Sequence, residues 1–422
     1  MYHEVIVAGA GPSGMMAAIY AARGGADVLI LERNDKPLKK LYATGNGRCN
    51  FTNLVFDDNS YRGGDPAFVK SMLGLYGRDE LMDFFHGLGM MTRNIGDYVY
   101  PYNEQARTVA DALLLEARRL GCRIVCGEMV VDITSNNGGY TVVTNGHRYE
   151  CRAVVAATGG KASPVHGSDG NLNKVLEGLG NELVPQYPAL VPLGHKDKKL
   201  AKLAGVRVKC SVWLTTDGVK AASERGEIIF NKDNVSGIPV MQLSRYATKA
   251  LNEGREAVLH IDLFPDNGQD EIRTALEASF KGSSIRGSRG RTADIRKDRS
   301  MIEALSLMLN EKLALYCLDR LKMIPGSLAV NAQDKKLDAL SGLLLDLEVR
   351  IDSDAGFERA QVTAGGFGLS SLDEELGSRS CPGLYIVGEL CDVDGTCGGY
   401  NLQWAFTSGA IAGKDAADHI RS

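Results

Sequence analysis

Hydrophobic positions along the chain follow two patterns, and the change between them divides it. Continuous apolar runs mark strands buried on both faces of a parallel sheet. They occur in "VIVAG" (Val5–Gly9), in "DVLILE" ending at Glu32, in "AVVAATGG" ending at Gly160, and at Leu384–Val387. Between Pro188 and Asp262 the runs "VRVKCSVWL" and "AVLHIDL" alternate apolar with polar residues, as strands of an antiparallel sheet do. From Asp270 to Lys322 the period is helical, with Ile302, Leu305, Leu309, Leu313 and Tyr316 along one stripe that reads as core. These patterns predict an α/β fold. A discontinuous Rossmann-like domain covers 1–187 plus 335–422, an inserted antiparallel β domain 188–268 plus 323–334, and a small helical subdomain 269–322. No tandem repeat is evident.

The first apolar run ends in a loop that carries chemistry. Gly9, Gly11 and Gly14 fit G-x-G-x-x-G: the first glycine permits the tight turn, the second lets a pyrophosphate approach the backbone, and the third lets the helix pack on the strand. The Ala-rich stretch from Pro12-Ser13 is a helix closed by Gly24 and Gly25, and its N-terminal amides face the phosphates. Glu32 ends the next strand, 18 residues after Gly14, where a carboxylate accepts both hydroxyls of an adenosine ribose. Strand, loop, helix, strand and acid together predict a dinucleotide site. Glu32 would repel a 2′-phosphate, so the ligand is FAD or NAD(H).

A second glycine-rich stretch decides between these two. An NAD-only dehydrogenase has no need of a matching loop near its other end, yet Gly388-Glu389 directly follow a buried strand. They resemble the Gly-Asp element of two-dinucleotide-fold flavoproteins, in which an acid reaches the ribitol chain of FAD. After Gly398-Gly399-Tyr400-Asn401 a helix is expected from about Leu402, its positive end available to the N1/C2=O edge of the flavin. A third piece lies between them: an Asn145-Gly146 hairpin turn returns the chain to Ala157-Thr158-Gly159-Gly160. This resembles the Ala-Thr-Gly segment of flavoprotein FAD domains. Three distant strand ends are expected to meet on one FAD, which makes the larger domain a two-dinucleotide-fold-type FAD domain.

With those residues in place, the chain resembles the BaiN/RdsA-type bacterial NAD(P)/FAD-dependent oxidoreductases, a family with aminoacetone oxidase-like members. The carrying motifs are "ATGNGRCNFTN" (Ala43–Asn53), "ATGGKASPVHGSDG" (Ala157–Gly170), "PALVPL" (Pro188–Leu193), "VTAGGF" (Val362–Phe367) and "GELCDVDGTCGGYNLQWAF" (Gly388–Phe406). The resemblance implies that Thr44, Gly45, Asn46, Gly47, Arg48, Cys49 and Asn50 wrap the FAD. The residue types agree: small residues permit close backbone approach, Arg48 can pair with the pyrophosphate, and Asn46 and Asn50 supply amide hydrogen bonds. Arg33, Lys40, Val130, Asp392, Tyr400, Asn401 and Leu402 complete the expected cofactor set with the glycines, Pro12, Ser13, Glu32, Thr158 and Glu389. One departure lies in "EIIFNKDNVSGIPVMQLSR" (Glu227–Arg245), where Asn231-Lys232 stand in place of the family's more frequent Thr-His pair.

The resemblance also implies the activity: hydride transfer from reduced flavin to an activated C=C bond of a small molecule, with NAD(P)H as transient reductant. No second G-x-G-x-x-G follows a strand, so a nicotinamide would bind without a dinucleotide fold of its own. The competing readings are an oxidase of a small amine that uses oxygen, and an RNA- or protein-binding flavoprotein. Tyr400, Cys397 and His166 are candidate proton donors because they neighbour the flavin loops, each with a structural role as the alternative. His86, His195 and His260 show no spacing relation to a base or ligand set.

Composition narrows the partners. A net charge of -4 gives no bulk attraction to nucleic acid or an anionic membrane, and no apolar run is long enough to span a bilayer. The expectation is a cytoplasmic protein whose partner is a small molecule rather than nucleic acid, with the oligomeric state open. Nine cysteines with no CxxC and no Cys/His cluster at zinc spacing read as free thiols, with no metal site. Cys122 and Cys126 would share a strand face roughly 13 Å apart, too far to bridge. Arg286, Arg289, Arg291, Arg296, Lys297 and Arg299 form a basic run without interleaved aromatics, which reads as a solvated loop rather than a nucleic-acid site.

Overall fold

A computed structural model describes residues 1–282 and 298–421, with the backbone of two short strands, Ile285–Arg286 and Thr292–Ala293, between them. The side chains of the basic run lie outside the described residues up to Lys297; Arg299, at its end, donates to the Ser279 carbonyl at 3.2 Å. The chain forms two compact units, residues 1–189 with 356–422, and residues 190–355.

In the first unit Tyr2–Ala8 lies inside a seven-stranded sheet, parallel to Val28–Glu32 on one side and to Arg148–Ala156 on the other. Leu384–Ile386 runs parallel to the second half of Arg148–Ala156, and the first half pairs antiparallel with Gly139–Thr144 across the expected hairpin. Val5, Ile6, Val7 and Ala8 are fully buried, which is why the run carries no polar alternation. Register sets the level at which each strand ends. Ala8 pairs with Leu31 and Ala156, and Ala156 pairs with Ile386. The loops beginning at Gly9, Ala157 and Val387 therefore leave one edge of the sheet at the same level.

Two helices pack on this sheet and on each other. The first spans Pro12–Arg23 and the last Tyr400–His419, capped by Gly399 and beginning two residues earlier than expected. They cross at small residues: a Cβ on Gly409 would lie 2.2 Å from the Ser13 carbonyl oxygen, and one on Gly413 2.2 Å from that of Ala17.

The second unit is built on a seven-stranded antiparallel sheet. Its order is Leu347–Arg350, Ala257–Asp262, Arg207–Thr216, Val219–Phe230, Asn234–Ser236, Leu193–Gly194 and Ser353–Asp354. The helices Gln269–Lys281, Met301–Leu305, Glu311–Arg320 and Asp334–Leu345 share one apolar core with this sheet, so the expected helical subdomain is not a separate body. The re-entry into the first unit falls at 356 rather than 335. Leu337, Leu340 and Leu344 are buried in the second core, and Leu347–Arg350 then pairs with Ala257–Asp262 as an edge strand. The helical stretch is divided: after Met301–Leu305 the chain turns, and the Asn310 side chain accepts from the Lys312 amide at 3.0 Å and starts the helix Glu311–Arg320. Leu305, Leu313 and Tyr316 are buried in the core, as the stripe indicated. All nine cysteines are free thiols, and among the described residues no helix is long and apolar enough to cross a membrane.

Candidate cofactor site

The head loop is shaped by contact with its neighbours on one side and by openness on the other. A Cβ on Gly14 would lie 1.9 Å from the Gly9 carbonyl oxygen, so only glycine lets the helix start that close to the strand. No atom lies within 4 Å of the Cβ position of Gly11, where the loop faces outward. Gly11 also caps the first helix without a side-chain hydrogen bond, which leaves its first-turn amides for a ligand.

Glu32 is 6% exposed and already oriented. Its Oε2 accepts from the Ala10 amide at 2.9 Å, and its Oε1 from the Asn34 amide at 2.8 Å and Asn34 Nδ2 at 2.7 Å. Asn34, which sequence reasoning missed, also donates Nδ2 to the His166 carbonyl at 3.0 Å. Arg33 pairs with Asp169 at 2.7 Å and donates to the Gly167 carbonyl at 3.3 Å. The turn around His166 is thus fastened to the acid end of the second strand. Val130 meets the same region through its carbonyl, which accepts from Asn171 Nδ2 at 2.8 Å.

The Thr44–Asn50 loop is tightly wound. Gly45, Asn46, Gly47 and Cys49 all hold positive φ, at 55°, 55°, 84° and 57°, a concentration of left-handed backbone that glycine and asparagine tolerate best. Thr44 Oγ1 donates to the Leu41 carbonyl at 2.6 Å. Burial pushes the Cys49 thiol up to about 12, which makes it a packing group rather than a nucleophile. Arg48, expected on the pyrophosphate, is paired with Glu104 and lies over the Tyr100 ring at 4.7 Å. Its Nε, Asn50 Oδ1 and Thr158 Oγ1 are buried polar atoms without a protein hydrogen-bond partner. Two of these atoms lie on the Thr44–Asn50 loop and one on the loop that leaves the sheet edge at Ala157, and a polar ligand would satisfy such atoms.

The tail loop meets the head loop. A Cβ on Gly388 would lie 2.5 Å from Ser13 Oγ, and Trp404 Nε1 donates to the Gly388 carbonyl at 3.0 Å. Glu389 reaches back to Lys40 at 2.7 Å, and Lys40 also donates to the Ala162 carbonyl at 3.2 Å. The segments around residues 9–14, 40, 158–162 and 388–389 are therefore joined into one cradle of loops. It offers helix amides, an oriented acid, small residues and unsatisfied polar atoms, and these suit an extended dinucleotide such as FAD.

A family model described as the HI0933-like protein Rossmann domain matches residues 3–415. The chain belongs to this HI0933-like family. The HI0933-like chain is 36% identical over 419 residues to a 3-dehydro-bile acid delta(4,6)-reductase from Clostridium scindens, with 99% of each chain covered. It is 29% identical over 418 residues to a ribosomal RNA dihydrouridine synthase from Escherichia coli, covering 98% of this chain and 97% of that protein. Among solved structures, the open conformation of a flavocytochrome c3 fumarate reductase shares its fold with a TM-score of 0.52 at 15% identity, over 100% of this chain and 79% of that one. A 3-ketosteroid-delta4-(5alpha)-dehydrogenase from Rhodococcus jostii does so with a TM-score of 0.50 at 15% identity, over 99% and 97%.

In this HI0933-like fold the candidate proton donors part company. Tyr400 donates its hydroxyl to the Val55 carbonyl at 2.8 Å and packs edge-on against Phe56 and Tyr61, with ring centroids 5.3 and 5.8 Å away. Burial raises its pKa. The phenol proton is thus committed to a backbone carbonyl, and the ring sits in an aromatic cluster at the helix start. His166 sits on the turn held by Asn34 and Arg33, at the Glu32 end of the cradle rather than the Gly399 end. Burial first, then Lys40 and Lys39, lower its pKa, which favours neutral imidazole. Cys397 is partly exposed, next to Gly398, whose carbonyl accepts from Asn53 Nδ2 at 2.9 Å. Asn401 spends its side chain on Gly395, with both bonds at 2.8 Å. In the other unit, Asn231 at the family departure is tied to Asn234 and Ser236 at 2.8 and 3.1 Å.

Proposed function

We propose that the protein is an FAD-dependent oxidoreductase that reduces a C=C bond conjugated to a carbonyl in a small molecule, with NAD(P)H as electron donor. The observation that carries the reading is the end-to-end match, 36% identical, to a protein named for reducing such bonds in a 3-dehydro-bile acid. The cradle supports the cofactor half. First-helix amides and the open side at Gly11 would take the pyrophosphate, Glu32 the adenosine ribose, and the Glu389 side the ribitol, with Arg48, Asn50 and Thr158 supplying polar atoms to the bound molecule. FAD bound there supplies hydride chemistry at N5. The chain's own contribution is to hold the two loops together at Gly388 and Ser13 and to place the N-terminus of the last helix, with its partial positive charge, at the tail end.

A second reading has its own support in the ribosomal RNA dihydrouridine synthase relatives. Uridine becomes dihydrouridine by addition of two hydrogens across a C=C conjugated to a carbonyl, so the bond type is the same and the substrate class differs. Anaerobic mixing separates the possibilities. NADH or NADPH should bleach the visible flavin band, and a steroid-type enone added afterwards should restore it with one equivalent of saturated product. Restoration by an unmodified ribosomal RNA fragment but not by enones moves the substrate to RNA. Bleaching by a small amine but by neither nicotinamide overturns the reductase reading in favour of an oxidase.

A further inference from the structure

The network around Glu389 contains a residue to which neither composition nor relatives assign a task. Thr363 is 1% exposed and sits on the three-residue strand Val362–Ala364, which pairs antiparallel with Tyr187–Ala189. Its hydroxyl accepts from the Lys161 amide at 2.8 Å and the Ala162 amide at 3.0 Å, and donates to Glu389 Oε1 at 2.9 Å. One hydrogen and two lone pairs are all a hydroxyl has, so the group is saturated. The Thr363 amide donates to the same Glu389 oxygen at 3.0 Å, and Lys40 takes the other oxygen at 2.7 Å. The turn before Lys161 closes on this hydroxyl: a Cβ on Gly160 would lie 2.4 Å from Thr363 Oγ1 and 3.0 Å from Glu389 Oε1. Segments 160–162, 363 and 389 are thus joined at one oxygen atom, although Ala162 lies 201 residues before Thr363 in the chain.

We propose that Thr363 is a positioning residue for the cofactor: its hydroxyl fixes the Glu389 carboxylate and the 160–162 turn together, so that the ribitol side of the cradle stands assembled before FAD arrives. The proposal rests on the FAD reading above. Lys40 balances the charge of Glu389, and Thr363 sets its direction. Valine has the same shape as threonine but none of its three bonds. It would leave two buried amides unpaired and a carboxylate free to turn, whereas serine keeps all three.

The test is FAD affinity of the deflavinated full chain, followed by flavin fluorescence, in a double-mutant cycle. T363V is expected to weaken FAD binding by about tenfold or more, the scale of a lost bond to a charged group, while T363S stays within about threefold of wild type. In the E389A background T363V should cost several-fold less than it does alone, because the threonine then has no carboxylate to direct. The same factor in both backgrounds, or a T363S that binds as poorly as T363V, overturns the proposal. If T363V does not give folded protein, the cycle is run with T363A, and T363S still has to bind like wild type. A wild-type chain that takes up no FAD would instead sink the FAD reading, which is a separate outcome.

Discussion

Replacing Gly388 with alanine tests whether the two ends of the chain grip one ligand. Gly388 has a φ of 67°, in the left-handed region where a side chain costs about 1–2 kcal/mol. Its new Cβ would lie 2.5 Å from Ser13 Oγ and 2.9 Å from Ser13 Cβ. Rotating the serine hydroxyl away removes the first overlap and leaves the second, so the loops must separate. Relief of such overpacking costs about 1–3 kcal/mol. The sum, about 2–5 kcal/mol, falls on the closed cradle. If the closed cradle is the form that holds FAD, affinity drops by about 30-fold or more, at roughly tenfold per 1.4 kcal/mol. Ser13→Gly removes both overlapping atoms but not the backbone strain, so S13G/G388A should regain about tenfold over G388A. FAD titration of the deflavinated protein, with thermal melts of the same samples, reads both the cofactor-bound and cofactor-free penalties. G388A with wild-type affinity and melting temperature, or a second substitution that restores nothing, would refute the closed-cradle argument.

Other outcomes rest on the same geometry. Tyr400→Phe should lower the melting temperature by the few degrees that a lost buried hydrogen bond of about 1 kcal/mol implies. In steady-state kinetics it should fall well short of the roughly 100-fold loss that removing a general acid causes. Arg119 hydrogen bonds hold the Glu116 carboxyl at about 2 against the opposing effect of burial, with Arg23 adding to the hold. Its folded value lies below the unfolded one, so its stabilisation is complete above the ordinary carboxylate range and is lost as the pH falls toward 2. Chemical denaturation at a series of pH values should show wild type losing more stability than Glu116→Gln on acidification. A thiol reagent at neutral pH should react with at most three of the nine cysteines in the native protein, Cys126, Cys381 and Cys397, because the other six are buried. Mass mapping of the labelled sites checks this, and labelled Cys49 or Cys391 would contradict the packing described.

What the sequence revealed and what it concealed divide along chain distance. Gly9, Gly11, Gly14 and Glu32 were legible because a strand–helix–strand unit brings them together within 24 residues and each glycine has a local steric reason. The tail loop was legible one step less directly. Buried strands in a parallel sheet end at a common edge, so an apolar run that stops at Gly388 belongs beside one that stops at Gly9. The surroundings of Tyr400 were not legible for the opposite reason: adjacency to Gly399 says where the backbone goes but not where the first turn of a helix points its side chains. The ring went to Phe56 and Tyr61. Nor did the apolar pattern of 334–345 say which core it joins, since a helix stripe fits any core; pairing of Leu347–Arg350 with Ala257–Asp262 settles that.

Where the chain leaves and rejoins the first unit follows the same strand geometry. The chain leaves the first unit after Tyr187–Ala189 and, once back in it, forms Val362–Ala364, and these two segments are antiparallel neighbours, with Pro188 opposite Thr363. Exit and re-entry therefore lie side by side, so the insertion of residues 190–355 adds no stretch to the cofactor cradle. The arrangement also explains why a threonine on so short a strand matters. Val362–Ala364 is too brief to be held by its ladder alone, and Thr363 fastens it to the turn at 160–162 and to Glu389. The strand that follows the insertion is therefore tied by one side chain to the same carboxylate that Lys40 pairs with.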